Sequence, residues 1–146
     1  MNDDIKKAIN KIALFLKELD FKKKALTWHK KKKEFILLID LQRSAWSPEY
    51  YVNVGIILDN DNELSLKTHN SDIRYRVSCL NKQNEYRDIY KIEDDFDSII
   101  QLIQNQVIDV FDNMENIEEV KAKILTDGEE EYLLTLKAKE KFHIKE

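Results

Sequence analysis

Apolar residues at Ile5, Ile9, Ile12, Leu16 and Leu19 recur three or four positions apart, the spacing that gathers side chains on one face of a helix. This predicts an amphipathic first helix, with Asn2 or Asp3 accepting the free N–H groups of its first turn. The period then shortens to two. Over 25–30, Leu26 and Trp28 alternate with Thr27 and His29 as strand residues do, and 31–34 reads as a charged hairpin turn. The clearest strands are 35–43 and 50–58, rich in aliphatic, aromatic and β-branched residues and joined through a short segment containing Pro48.

Parity fixes how these two strands pair. Phe35, Leu37, Ile39 and Leu41 form one apolar set, and Tyr50, Val52, Val54, Ile56 and Leu58 form the other. Burying both sets on one side of a sheet requires odd positions to face even ones. A tight loop over 45–48 achieves this, setting Gln42 opposite Tyr51, Asp40 opposite Asn53 and Leu38 opposite Gly55 on the other side. That second face is half polar.

Further along, 63–67 is expected to be a short strand after the Asn60-Asp61-Asn62 turn, and Ile73, Tyr75 and Val77 alternate with Arg74 and Arg76. Residues 88–92 read either as one more strand or as an extended lead-in to a helix. From Phe96, the positions Ile99, Ile100, Ile103, Val107, Val110, Phe111 and Met114 keep helical spacing for about five turns, with Asp94 expected as the cap. A third helix is expected behind Asn116, with Glu119 completing a capping box, and to end at Gly128. A last helix is expected over 129–141, with Leu133 and Leu136 turned inward, acidic Glu129, Glu130 and Glu131 at its start and lysines at its end. One helix, a run of strands and two or three closing helices predict an α+β fold: an antiparallel sheet with the helices packed on it.

The chain has 146 residues, 42% of them hydrophobic and 36% charged, a size and balance that predict one domain over residues 1–146. No window approaches the ~18 consecutive apolar residues of a membrane span. The polar, acidic opening does not read as a secretory signal, and the lone Cys79 allows no internal disulfide. A cytoplasmic location is expected. The net charge of -4 is unevenly spread: residues 1–91 carry 18 Lys/Arg against 13 Asp/Glu, and residues 92–146 carry 6 against 15. A +5 part is thus followed by a -9 part, which can steer a charged partner.

Glycine-rich phosphate loops are excluded, because Gly55 and Gly128 are the only glycines and stand far apart. His29, His69, Cys79 and His143 lack the paired spacing of a metal site, so no metal and no cofactor is expected. Nothing near Cys79 suggests an activated thiolate, and a small core residue is the expectation. Seven lysines between Lys22 and Lys33 surround Trp28 and His29. They are expected to keep a hairpin soluble and to block edge-to-edge pairing, rather than to bind nucleic acid.

Asp40 interrupts an apolar strand. With the register above it joins Gln42, Tyr51 and Asn53 in a polar cluster within reach of Arg43 or Arg76. Two readings follow: a mutually satisfied structural network, or a site for a ligand or partner.

Three segments, Leu19-Asp20-Phe21-Lys22-Lys23-Lys24, Leu41-Gln42-Arg43-Ser44-Ala45-Trp46-Ser47 and Tyr51-Val52-Asn53-Val54-Gly55-Ile56, resemble successive signatures of the bacterial domain of unknown function family 4304. Arg76-Val77-Ser78 resembles that family's arginine strand, and Asp88-Ile89-Tyr90 its Asp-aromatic segment. Asp20 stands where the family has glycine, and Tyr90 where tryptophan is usual. The resemblance implies the fold and singles out Gln42, Arg43, Ser44, Asn53 and Arg76, but implies no reaction.

The candidate binding residues are therefore Asp40, Gln42, Arg43, Ser44, Trp46, Tyr51, Asn53 and Arg76, with no catalytic residue among them. The expected function is non-enzymatic binding, in the manner of an immunity protein that engages a basic protein partner, since residues 92–132 carry 13 acidic and 2 basic residues. The rival is a small enzyme using Asp40, Asn53 and Arg76 on a polar small molecule. The sequence leaves the oligomeric state open.

Overall fold

Asn2 caps the first helix: its Oδ1 accepts from the Ile5 N–H at 2.8 Å, and α1 spans Asp3–Glu18 with Ala8, Ile9, Ile12 and Leu16 buried. The computed structural model describes residues 2–59 and 66–144. At the end of α1 the Phe21 N–H reaches the Leu16 carbonyl at 3.0 Å and the Asp20 N–H reaches Lys17 at 3.0 Å, closing the helix with Asp20 at a φ of 69°. Asp20 thus holds a left-handed backbone, which costs a residue with a Cβ and would cost glycine little.

Five strands follow: β1 (Lys22–Lys24), β2 (Thr27–Lys31), β3 (Ile36–Arg43), β4 (Tyr50–Ile57) and β5 (Ile73–Arg76). Each pairs antiparallel with the next. The β3–β4 register sets Gln42 against Tyr51, Asp40 against Asn53 and Leu38 against Gly55, the pairing that side-chain parity requires. The short strands β6 (Cys79–Leu80) and β7 (Tyr86–Arg87) form their own hairpin, and β8 (Ile89–Tyr90) pairs with the start of β4. Of the two readings of 88–92 the structure takes the strand, and the helix starts at Ile92, ahead of the expected cap at Asp94. The strand expected over 63–67 lies mostly outside the described residues.

The apolar face carries Leu37, Ile39, Leu41, Val52, Val54, Ile56 and Ile73, all buried under α1, the helix α2 (Ile92–Ile103) and its continuation. Leu37 and Val54 share this face. The opposite face divides along its length. Toward the β2–β3 turn, Ile36, Leu38 and Ile57 form a second small apolar cluster with Leu66. Gly55 lies under the crossing segment, where a Cβ would sit 2.3 Å from Ser71 Oγ; only glycine allows so close an approach. Toward the β3–β4 loop the same face is polar.

Asp94 does not cap α2. Lys91 occupies that position without a side-chain bond, and Glu93, Asp94 and Asp95 lie in the first turn, where carboxylates meet the positive helix end. After Ile103 the winding changes to a π-helix over Gln104–Asp112, burying Val107, Ile108 and Phe111. Buried residues at 99, 103, 107 and 111 are four apart; on a pure α-helix each step drifts by about 40°, and the wider winding after Ile103 turns the later steps back toward the core. Helix α3 (Ile117–Asp127) is capped by Asn116, whose side chain accepts from the Glu119 N–H at 2.9 Å, and ends at Gly128 with φ 99°. Glu119 itself reaches back to the Glu115 N–H at 3.2 Å, not to Asn116.

The helix expected over 129–141 is not continuous. Glu129–Glu131 forms a single 3-10 turn, and β9 (Leu133–Leu134) adds to β5 at the edge of the sheet. Only then does α4 (Leu136–Phe142) begin, capped by the Thr135 hydroxyl. Leu133 and Leu136 are 63% and 55% exposed; Ala138 and Phe142 face inward instead. The deciding residue is Asp72, which the sequence did not single out. Its carbonyl accepts from the Thr135 N–H at 2.9 Å and its Oδ2 from the Leu58 N–H at 2.9 Å, so the chain is drawn out as a strand where local propensity favours a helix.

Candidate functional site

Alternation along β4 and β5 places Asn53 and Arg76 side by side on the polar face. Arg76 Nε donates to Asn53 Oδ1 at 3.0 Å, and Asn53 Nδ2 donates to Asp40 Oδ1 and to Gln42 Oε1, each at 2.8 Å. The Thr68 hydroxyl, from the 3-10 turn over Thr68–Asn70, donates to the other oxygen of Asp40. The Arg76 guanidinium stacks on the Tyr51 ring at 3.8 Å from its centroid and stands 3.8 Å from Asp88. Five of the eight candidate residues, Asp40, Gln42, Tyr51, Asn53 and Arg76, thus form one connected group.

The other three lie apart from it. Arg43 is exposed at the end of β3, at a register position that alternation assigns to the opposite face. Ser44 is buried in the loop, where its hydroxyl accepts from the Trp46 N–H at 3.1 Å and its own N–H bonds the Glu49 carbonyl at 2.8 Å. Trp46 is 95% exposed in the same loop and is not among the residues that line the cleft beside this group.

Asp40, Gln42, Asn53 and Arg76 form part of the floor of an open cleft of about 1150 Å³. Its walls also take in Thr68, His69 and Arg74 and, from the helix-covered side of β4 and β5, Val54 and Tyr75, together with Gln106, Asp127, Glu130, Glu131 and Tyr132. The π winding contributes directly to this wall. Gln106 uses its side-chain amide as a substitute strand edge, donating to the Ser78 carbonyl and accepting from the Ser78 N–H at 3.1 Å. The Gln106 carbonyl, in turn, accepts from the Tyr75 hydroxyl at 2.8 Å. Burial, and then the adjacent Tyr132 and Asp127, hold the Tyr75 phenol well above its ordinary 10.0, so it stays a donor.

Tyr132 behaves alike: burial first, then its hydrogen bond to Asp127, raises its phenol. Burial pushes the Asp127 carboxyl up, but the hydrogen bonds from Tyr132 and Lys123 outweigh it and leave the group below its ordinary value. Thr68, Gln106 and Tyr132 escaped the sequence reading, since no periodicity or motif marks them. Among the described residues no group of three His, Cys, Asp or Glu side chains gathers as metal ligands would. Cys79 is half-buried in β6, beside Tyr90.

A family model described as Domain of unknown function (DUF4304) matches residues 12–132, most of the chain, including every strand of the cleft floor. The chain belongs to the DUF4304 family. No curated protein and no solved structure matches it. Asp20, Gln42, Asn53 and Arg76 all lie inside the matched DUF4304 region, whereas α4 lies beyond it. No helix among the described residues is long and apolar enough to cross a membrane.

Proposed function

We propose that this DUF4304 protein is a non-enzymatic binding protein whose cleft over the polar sheet face receives a basic segment of a protein partner, as an immunity protein would. The observation that carries this reading is charge: five carboxylates line the cleft, Asp40, Asp88, Asp127, Glu130 and Glu131, against the two guanidiniums of Arg74 and Arg76. Arg76 is engaged with Asn53 and Asp88 and Arg74 with the His69 carbonyl at 3.2 Å, while Asp40 is held by Asn53 and Thr68 and Asp127 by Lys123 and Tyr132, so the charge offered to a partner rests on Glu130 and Glu131. Much of the acidic excess of residues 92–132 has structural work elsewhere, at the starts of α2 and α3 and opposite Lys30 and Lys32. Glu130 and Glu131 do not share that work and are exposed at the cleft rim.

The enzyme reading draws on a specific observation too. Asp40, Asn53 and Arg76 converge on an open cleft large enough for a small polar molecule. Against it, the floor groups are bonded to one another, leaving no isolated base or nucleophile within that trio.

A pull-down from the native host followed by calorimetric titration of the captured partner tests the proposal. Binding that weakens with added salt, and that falls at least tenfold in the Glu130→Lys/Glu131→Lys double variant, supports it. A partner whose affinity ignores both changes overturns it, and capture of a polar metabolite that the protein converts would establish the enzyme.

A further inference from the structure

A second groove, of about 500 Å³, opens between α1 and the β1–β2 hairpin, remote in the sequence from the acidic cleft walls. Its surface is mostly apolar, built by Leu14, Phe21 and Trp28, with Leu14 58% exposed. Lys17, Lys22 and Lys23 line it and no carboxylate is among the lining residues; the Lys23 ammonium stands 5.8 Å from the centre of the Trp28 ring, so the margin of the apolar trough is cationic. Trp28 supplies an independent observation. It is 1% exposed, lines the groove, and its Nε1–H has no hydrogen-bond partner. A buried donor left unpaired is costly, and few survive in folded proteins without a compensating role.

We propose that this groove binds a free monoacyl carboxylate, its chain laid along Leu14, Phe21 and Trp28 and its carboxylate held by the lysines. Apolar trough, cationic margin and an unpaired indole donor are complementary to one class of molecule: an anionic head on an apolar tail. An acidic strand added to β1 fits less well, because that edge is three residues long and all lysine, the pattern that discourages pairing. This inference is independent of the basic partner proposed for the cleft.

The fluorescence of Trp28 provides the test. In a Trp46→Phe background Trp28 is the only tryptophan. Titration with laurate below its micelle concentration should give a saturable, one-to-one change in emission. The Lys17→Ala/Lys22→Ala/Lys23→Ala variant should lose at least tenfold in affinity while keeping its circular dichroism, since all three lysines are exposed. Leu14→Asp, also at an exposed position, should bind more weakly as well. An equal response to dodecyltrimethylammonium, a laurate response that never saturates, or a response only to anionic phospholipid vesicles would overturn the proposal.

Discussion

Arg76 and Asn53 sit opposite each other on paired strands, Nε to Oδ1 at 3.0 Å, and Asn53 relays that contact to Asp40 and Gln42 across β3. One amide therefore ties three strands together on the face that the helices leave open. Asn53→Ala should lower stability by about 1–2 kcal/mol, because Asp40, Gln42 and Arg76 each lose a partner. Arg76→Ala should cost less than about 1 kcal/mol, since that side chain is 41% exposed and water replaces its bonds. Urea denaturation of both variants measures this. If both keep wild-type stability while a captured partner is no longer bound, the group acts in recognition and not in holding the sheet.

Asp20 bears a left-handed backbone at the end of α1. Asp20→Gly should therefore raise stability, by up to about 1 kcal/mol, with the gain read as a higher midpoint in thermal denaturation. An unchanged or lowered midpoint would mean that the Asp side chain, which tolerates this conformation better than most, compensates fully.

Glu115 links stability to pH. Its carboxyl is held below the ordinary 4.5 by the hydrogen bond from Lys32, at 3.0 Å, and by the backbone N–H of Lys33 at 2.9 Å. A carboxyl depressed on folding stabilises the native state at pH values above its unfolded pKa. That contribution fades as pH falls through the folded value. Wild type should exceed Glu115→Gln in thermal midpoint at pH 7, and the gap should narrow as the pH is lowered past the ordinary glutamate value. A gap that does not narrow as the pH is lowered would show that the glutamate acts through packing instead of charge.

The sequence by itself determined the first helix, the sheet of β3 and β4 with its register, and the cross-strand meeting of Asp40, Gln42, Tyr51 and Asn53. These follow from local rules: a period near 3.6 or of 2, and a parity that buries one apolar set and leaves the other face to polar groups. The caps at Asn2 and Asn116 were legible for the same reason, since a cap acts within three residues.

Tertiary structure decided the rest. Leu133 and Leu134 have the composition of a helix, yet Asp72, far away in the chain, bonds Thr135 and holds them as the sheet's edge. Gln106 reaches Ser78 through a π winding imposed by packing four residues per step against the sheet, and so closes a cleft wall that no motif announces. Lys32, read as part of a solvated hairpin, is nearly buried against Asp112 and Glu115. Each of these contacts joins residues that are distant in sequence, and their free energy exists only once the chain has brought them together. Propensity and periodicity record what neighbours along the chain favour, and so could not reveal them.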